Sequence, residues 1–235
     1  MKNGKTALIT GASKGFGYSL AENLARMGWR LLINARHDRP LFYAKEKLDK
    51  LTEVISIPGD VQNEKHLMEF TRILKANDWK LDLAVNNAST LGITPMPHLF
   101  DYQIDELASV LKTNMIAPLS ILQKILPHLH KAAKVINISS DAGVEAYETW
   151  GAYGASKAGL DHLTAILAKE NPQYYFYSFD PGDMRTDMHQ AAFPGQDISD
   201  RPFPAKHAVP AILQLIENDF SSGRYTVESF KAQLT

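Results

Sequence analysis

The chain has no cysteine. Disulfides, thiolate metal sites and cysteine nucleophiles are therefore excluded. It also lacks any run of about 18 apolar residues, so no membrane-spanning helix is expected. Its first residues, "MKNGKTALITGASKG", carry lysines without a sustained apolar stretch and do not read as a signal peptide. Neither sign of charge is in excess: 25 Lys and Arg stand against 26 Asp and Glu, a net charge of -1. Recognition of nucleic acid through bulk charge is thus disfavoured. The eight histidines are scattered, and only His128 and His130 lie close together. On a helix an i, i+2 spacing points two side chains apart, so no metal site is expected. A soluble, cytoplasmic protein remains, and 235 residues with 45% hydrophobic side chains suffice for one well-buried core.

Short apolar runs rich in β-branched residues recur at 5–10, 30–35, 53–58, 81–86, 134–139 and 174–179, with a weaker one at 223–227. Segments of helical periodicity lie between them, at about 16–28, 40–51, 63–77, 101–130, 152–169 and 206–218. Continuous apolar strands alternating with helices predict βαβ units and a parallel sheet covered on both faces. Right-handed crossovers make a doubly wound α/β fold the natural solution, here as one domain over residues 1–235. No repeat or linker interrupts it. The irregular stretch at about 183–205 follows a strand's carboxyl end and reads as a substrate lid or binding loop, or as a partly ordered surface excursion.

The segment "TALITGASKGFGYSLAENLARMG" predicts strand, glycine turn and helix, with glycines at 11, 15 and 17. Such a turn gathers backbone N–H groups and a helix N-terminus at one point, which suits a pyrophosphate. Gly11 can take a positive φ, and Gly15 and Gly17 allow close approach. The end of the second strand then bears on the choice of dinucleotide. An NAD site usually places an acid there; this chain has Ala35 followed by Arg36, with Lys14 in the glycine turn. Arg36 as a planar fork and Lys14 as a point charge suit a 2′-phosphate. NADP(H) is expected, with NAD(H) the alternative if Asp38 serves as the acid.

One further pattern is chemical. "YGASK" sets Tyr153 and Lys157 one helical turn apart on one face. Lowering a phenol from about 10 to about 7 requires roughly 4 kcal/mol. Two unit charges 4 Å apart at an effective dielectric of 20 interact by roughly that amount. On this arithmetic Lys157 is nearly sufficient to make Tyr153 a usable proton relay, helped by the positive nicotinamide of an oxidised cofactor.

Taken in order, these motifs resemble the classical short-chain dehydrogenases/reductases over nearly the whole chain. "TGASKGFG" (10–17) is similar to the family's TGxxxGxG cofactor turn, and "DV" (60–61) to its adenine-contacting pair. "NNAS" (86–89) resembles NNAG with Ser89 in place of glycine, "NISS" (137–140) the strand end with the catalytic serine, "YGASK" the YxxxK motif and "PGDMRT" (181–186) the nicotinamide-bordering PGxxxT. The resemblance implies a Rossmann-type sheet of seven parallel strands in order 3-2-1-4-5-6-7. It also implies hydride transfer between NAD(P)(H) and a carbonyl or alcohol. Asn114, Ser140, Tyr153 and Lys157 would form the catalytic tetrad, with Asn114 holding a water through its local backbone and Ser140 bonding the carbonyl oxygen. Cofactor contacts would come from Gly11, Ser13, Lys14, Gly15, Phe16, Gly17, Arg36, Asp60, Val61, Asn87, Ala88, Tyr153, Lys157, Pro181, Gly182 and Thr186. A homodimer or homotetramer is implied, paired through the helices at 101–130 and 152–169. Glu145, Tyr147, Glu148 and Trp150 would wall the substrate pocket or simply cover the core. Asp183 and Arg185 would meet a polar substrate or remain solvated. A nonenzymatic dinucleotide sensor, or a reductase of C=C, C=N or pterin substrates, are the alternative functions.

Overall fold

A computed structural model describes residues 4–230. Its strands are β1 (Thr6–Thr10), β2 (Arg30–Ala35), β3 (Val54–Pro58), β4 (Leu81–Asn86), β5 (Leu129–Ile138), β6 (Tyr175–Asp180) and β7 (Gly223–Thr226). They form one sheet in the order β3-β2-β1-β4-β5-β6-β7, with every pairing parallel. The helices are α1 (Gly15–Arg26), α2 (Asp38–Leu48), α3 (Glu64–Ala76), α4 (Ile104–Leu111), α5 (Ala117–Ile125), α6 (Gly151–Glu170), α7 (Asp187–Ala192) and α8 (Ala208–Glu217). This is the doubly wound, Rossmann-type architecture that the sequence leads one to expect.

Strand alternation divides the core between the two faces of the sheet. Ile9, Leu31, Ile33, Val85, Ile136 and Phe179 pack with Leu20 and Leu24 of α1 and Ile212 and Leu215 of α8. Leu8, Leu32, Ala84, Val135 and Phe176 point the other way, toward Leu67 and Phe70 of α3 and Ile121 and Ile125 of α5. Both faces are covered, which is why the strands read as unbroken apolar runs. The strand order reverses between β1 and β4, and a crevice opens there outside the carboxyl ends of the strands.

The single helix expected at 101–130 is instead several pieces. A 3₁₀ turn at Leu99–Asp101 precedes α4, a π-helical turn at Lys112–Ile116 joins α4 to α5, and a 3₁₀ turn at Leu126–His128 closes α5. Two prolines account for the breaks. Pro118 has no N–H for the carbonyl of Asn114 four residues back, and Pro127 cannot continue a helix. β5 also starts earlier than its apolar run. Its first residue, Leu129, pairs with Leu81 of β4 across a register shift, with Ala132 at φ 61°, and the polar His130 and Lys131 after it break the apolar run. The stretch expected to be irregular at 183–205 contains α7, whose first turn is capped by Thr186 Oγ1 accepting from His189 N–H at 3.2 Å. Arg185 N–H bonds the Pro202 carbonyl at 2.9 Å and ties the two ends of the stretch together.

Candidate active site

The crevice is a cavity of about 470 Å³ lined by the ends of β1, β2, β4, β5 and β6 and by α7. Its two halves have different chemistry.

The first half is built on the β1–α1 turn. Gly11 and Gly15 take φ of 65° and 60°, the left-handed region that suits glycine. A Cβ on Gly17 would lie 2.6 Å from the Gly11 carbonyl oxygen and closer still to Asn87 Nδ2. Gly17 therefore serves the packing of helix against turn and does not itself line the cavity. Gly15 differs: within 4 Å a Cβ there would meet only Thr186 Cγ2, at 3.8 Å across the crevice. No side chain caps the N-terminus of α1, whose first residue lines this space. Uncapped N–H groups beside an open cradle are a setting for a phosphate, so the residues present fit a dinucleotide. Asn87 and Thr10 stitch the turn to β4: Asn87 Nδ2 donates to the Thr10 and Gly11 carbonyls at 2.9 and 3.2 Å, and Thr10 Oγ1 accepts from Asn87 and Ala88 N–H at 3.0 Å each. Phe16 stacks on Phe179 under the turn, with ring centroids 6.3 Å apart.

Ser13, Lys14, Arg36, Asp60, Val61 and Ala88 line the same half, and so does His37, which the sequence reading did not single out. Asp38 is not among the lining residues. Its carboxylate accepts from the next backbone N–H, that of Arg39, at 2.7 Å. Lys14 is engaged: its ammonium is 2.6 Å from Asp187 on α7, with both side chains largely exposed.

In the second half, Ser140, Tyr153, Lys157, Pro181, Gly182 and Thr186 share the cavity wall. Lys157 is 2% exposed; its ammonium donates to the Ile138 carbonyl at 2.7 Å and lies 5.4 Å from the centre of the Tyr153 ring. Burial holds its pKa down to about 8, against the pull of Asp161 and Asp180. Tyr153 is raised well above the usual phenol range, first by burial and then by Asp180 and Asp141; the hydroxyls of Ser140 and Ser89 act in the opposite direction. Burial thus stands against the lowering of this phenol that the sequence reading expects from Lys157 together with an oxidised nicotinamide. Burial, which takes the phenolate out of water, is the largest influence on it. Ser89 was noted in the sequence only as a departure from pattern; here its hydroxyl faces Tyr153 and donates to Asn114 Oδ1 at 3.1 Å.

Asn114 sits behind this wall, 1% exposed, and its side chain does not reach the cavity. Its amide is bonded throughout: Oδ1 accepts from Thr90 N–H at 2.9 Å, and Nδ2 donates to the Thr90 carbonyl and Ser156 Oγ at 2.9 Å each. It joins the β4 loop to α6 from within the π-helical turn, a feature frequent at functional sites. The Ser140 hydroxyl donates to Asp141 Oδ1 at 2.9 Å, and the Tyr147 hydroxyl donates to Asp141 Oδ2 at 3.0 Å. Trp150 is the aromatic wall, edge-on to Tyr153 at 5.7 Å and 5.8 Å from Phe193 beyond α7. Glu148 faces away, 3.8 Å from His98. Asp183 is 3.4 Å from Arg201 and 3.7 Å from His189. Arg185 bonds the Ile198 carbonyl at 3.4 Å and lies over the Phe203 ring.

Sequence reasoning also missed Asp161, Asp180 and Arg224 at the edge of this wall. An acid directly before the Pro–Gly turn, in "FDPG", was the available signal for Asp180; nothing local marks Arg224.

Residues 5–197 match the family model described as short chain dehydrogenase. The chain is 33% identical, over 71% of its length and 67% of the relative's, to the rhamnolipids biosynthesis 3-oxoacyl-[acyl-carrier-protein] reductase of Pseudomonas aeruginosa. It is 33% identical to the sepiapterin reductase of Mus musculus, over 79% of this chain and 76% of that one. Among solved structures, the alcohol dehydrogenase of Thermococcus sibiricus complexed with 5-hydroxy-NADP superposes with a TM-score of 0.84 at 24% identity, covering 94% of this chain and 95% of the other. No helix among the described residues is long and apolar enough to cross a membrane.

Proposed function

The chain belongs to the short-chain dehydrogenase family, and from that premise we propose that it is an NADP(H)-dependent oxidoreductase acting on carbonyl and alcohol groups in the cytoplasm. The observation that carries this reading is the convergence of Ser140, Tyr153 and Lys157 on one wall of a cavity whose other end is an uncapped helix N-terminus flanked by Lys14 and Arg36. The dinucleotide would be held by the Gly11–Gly17 turn, by Asp60 and Val61 at the adenine end, by Arg36 and Lys14 at the 2′-phosphate, and by Pro181, Gly182 and Thr186 at the nicotinamide. When bound it supplies the hydride.

The chain's own residues place the substrate and move a proton. In the reducing direction Tyr153 is the acid. Burial keeps its phenol protonated near neutrality, and a nascent alkoxide is a strong enough base to take that proton. Ser140 supports the developing oxyanion; its hydroxyl leaves Asp141 to do so. Lys157 fixes the geometry of α6 against the end of β5 through Ile138 and places a cation beside the phenol. Asn114 holds the β4 loop to α6 and shapes the π-helical turn. The stretch 183–205, anchored by α7, is the substrate lid, and Trp150, Leu91 and Ala192 give the pocket an apolar side. That the archaeal alcohol dehydrogenase of this fold carries 5-hydroxy-NADP is in keeping with the cofactor assignment. In the same reading the chain self-associates through α4, α5 with the π-helical turn before it, and α6, where Ile104, Ile116 and Ile166 are exposed.

The test is a panel of aldehydes and ketones with NADPH consumption followed by absorbance and NADH in parallel. Turnover with NADPH is expected; binding of dinucleotide without turnover of any carbonyl would favour a sensor.

A further inference from the structure

β7 is the shortest strand of the sheet, yet one of its side chains reaches three other elements. Arg224 Nε donates to Asp161 Oδ2 at 3.0 Å, and Arg224 Nη2 donates to both Asp180 Oδ2 and the Ser140 carbonyl oxygen at 3.0 Å each. Each acceptor stands next to a functional group. Asp161 lies on α6, one turn beyond Lys157 and two beyond Tyr153. Asp180 ends β6 directly before Pro181 and Gly182, and its other oxygen accepts from Gly182 N–H at 3.0 Å. Ser140 follows the end of β5. The three segments that carry Ser140, the Tyr153–Lys157 pair and the Pro181–Gly182 turn are therefore bonded to one planar fork.

We propose that Arg224 is a positioning residue of the active site, whose guanidinium holds the Ser140 strand end, the Pro181–Gly182 turn and the Tyr153–Lys157 helix in a single geometry. The proposal rests on the oxidoreductase reading above and extends it to a residue that touches neither substrate nor cofactor. A partly exposed ion pair contributes little to folding. A fork bonded to three elements instead restricts how they can shift, and a misplacement of about 1 Å at a reacting centre costs roughly 100-fold in rate. The planar geometry matters, since an ammonium is a point charge on a flexible stem and cannot span the same three acceptors.

The guanidinium also balances charge. Asp180 raises both Tyr153 and Lys157, Asp161 raises Lys157, and Asp141, on the turn after β5, raises Tyr153. Arg224 pairs two of these three carboxylates. Without it the charge of Asp180 beside Tyr153 loses its partner, and the phenolate becomes harder to form.

The test uses the full chain as wild type, Arg224→Gln and Arg224→Lys. Hydrogen exchange of the cofactor-free proteins is read over residues 138–144 and 180–186, with β1 and β2 as the control. Alcohol oxidation with NADP is read across pH. For Arg224→Gln, exchange in the two segments should rise by about tenfold with the control unchanged. Its kcat should fall about 10- to 100-fold with little change in KM, and the midpoint of the limb on which activity rises with pH, where the phenol of Tyr153 loses its proton, should move up by about one pH unit. Arg224→Lys should restore the midpoint, because the charge returns, but only part of kcat. Unchanged exchange in both segments would overturn the proposal. So would a rate loss that follows only the fraction of folded protein, with the pH midpoint unmoved. If the wild type turns over no alcohol or carbonyl, the oxidoreductase reading fails, while the exchange data still decide whether Arg224 holds the three segments together.

Discussion

Replacing Asp187 by Asn would release Lys14 and so test how the cavity holds a 2′-phosphate. Lys14 and Asp187 are 2.6 Å apart, with side chains 68% and 76% exposed. Pairs this exposed contribute about 0.2–1 kcal/mol, and 1.4 kcal/mol is a factor of ten in affinity. Freeing Lys14 should therefore tighten NADPH by at most about fivefold. Arg36 stands differently, since it lines the cavity and no hydrogen bond among the described residues engages it. A charge-assisted bond in a partly desolvated site is worth roughly 1.5–3 kcal/mol before screening, so Arg36→Ala should weaken NADPH by about tenfold or more. NADH lacks the phosphate and should be indifferent to both changes. Ala35→Asp with Arg36→Ala should reverse the preference, and added salt should shrink it. Asp38→Ala should leave NADH binding unchanged, because that carboxylate lies outside the cavity. The assay is calorimetric titration of both cofactors into each variant. Wild-type protein that binds NADH more tightly than NADPH, or an Asp187→Asn variant that gains equally for both, would refute the reasoning.

Three further outcomes follow from the geometry. Gly17→Ala should cost about 1–3 kcal/mol of stability in denaturant unfolding and weaken dinucleotide binding, since the new methyl meets the Gly11 carbonyl oxygen at 2.6 Å; a variant with wild-type stability and affinity would contradict this packing role. Lys157 has its folded pKa depressed to about 8 from 10.5, so its contribution to stability is fully present above pH 10.5 and is lost as pH falls through 8. Compared with Lys157→Met, the wild type should gain on the order of 3 kcal/mol between pH 7 and pH 10.5, and parallel stability curves would show that this ammonium is not strained by burial. Light scattering should find a dimer or tetramer, and Ile104→Lys, at a position 74% exposed in the single chain, should shift it toward monomer; a wild-type monomer at micromolar concentration would remove the proposed interface.

What could be read from the sequence divides along physical lines. The sheet was legible because a strand buried on both faces must be apolar throughout and right-handed crossovers lead to a doubly wound arrangement; its strand order rested on the family resemblance. The glycine turn was legible because its conformation admits few other residues. Breaks in the helix over 101–130 were hinted at by Pro118 and Pro127, yet periodicity continued across them and masked the π-helical turn. The Tyr153–Lys157 pair was correctly placed on one face, but a Coulomb sum between two groups ignored the burial of both, and that burial dominates the phenol. Lys14 was read as free because its partner, Asp187, lies 173 residues away. Arg224 escaped for the same reason: its three acceptors come from separate elements, and only the folded sheet edge brings them together.

The most direct test of the proposed chemistry is Tyr153→Phe, assayed for NADPH binding by titration and for turnover on the best substrate of the carbonyl panel. The phenyl ring keeps the packing against Trp150 and removes only the proton donor. Affinity for NADPH should stay within about threefold of wild type, while kcat should fall by about 10²–10⁴, the usual contribution of a positioned acid. A variant that binds NADPH normally and reduces the carbonyl at the wild-type rate would show that the proton comes from elsewhere.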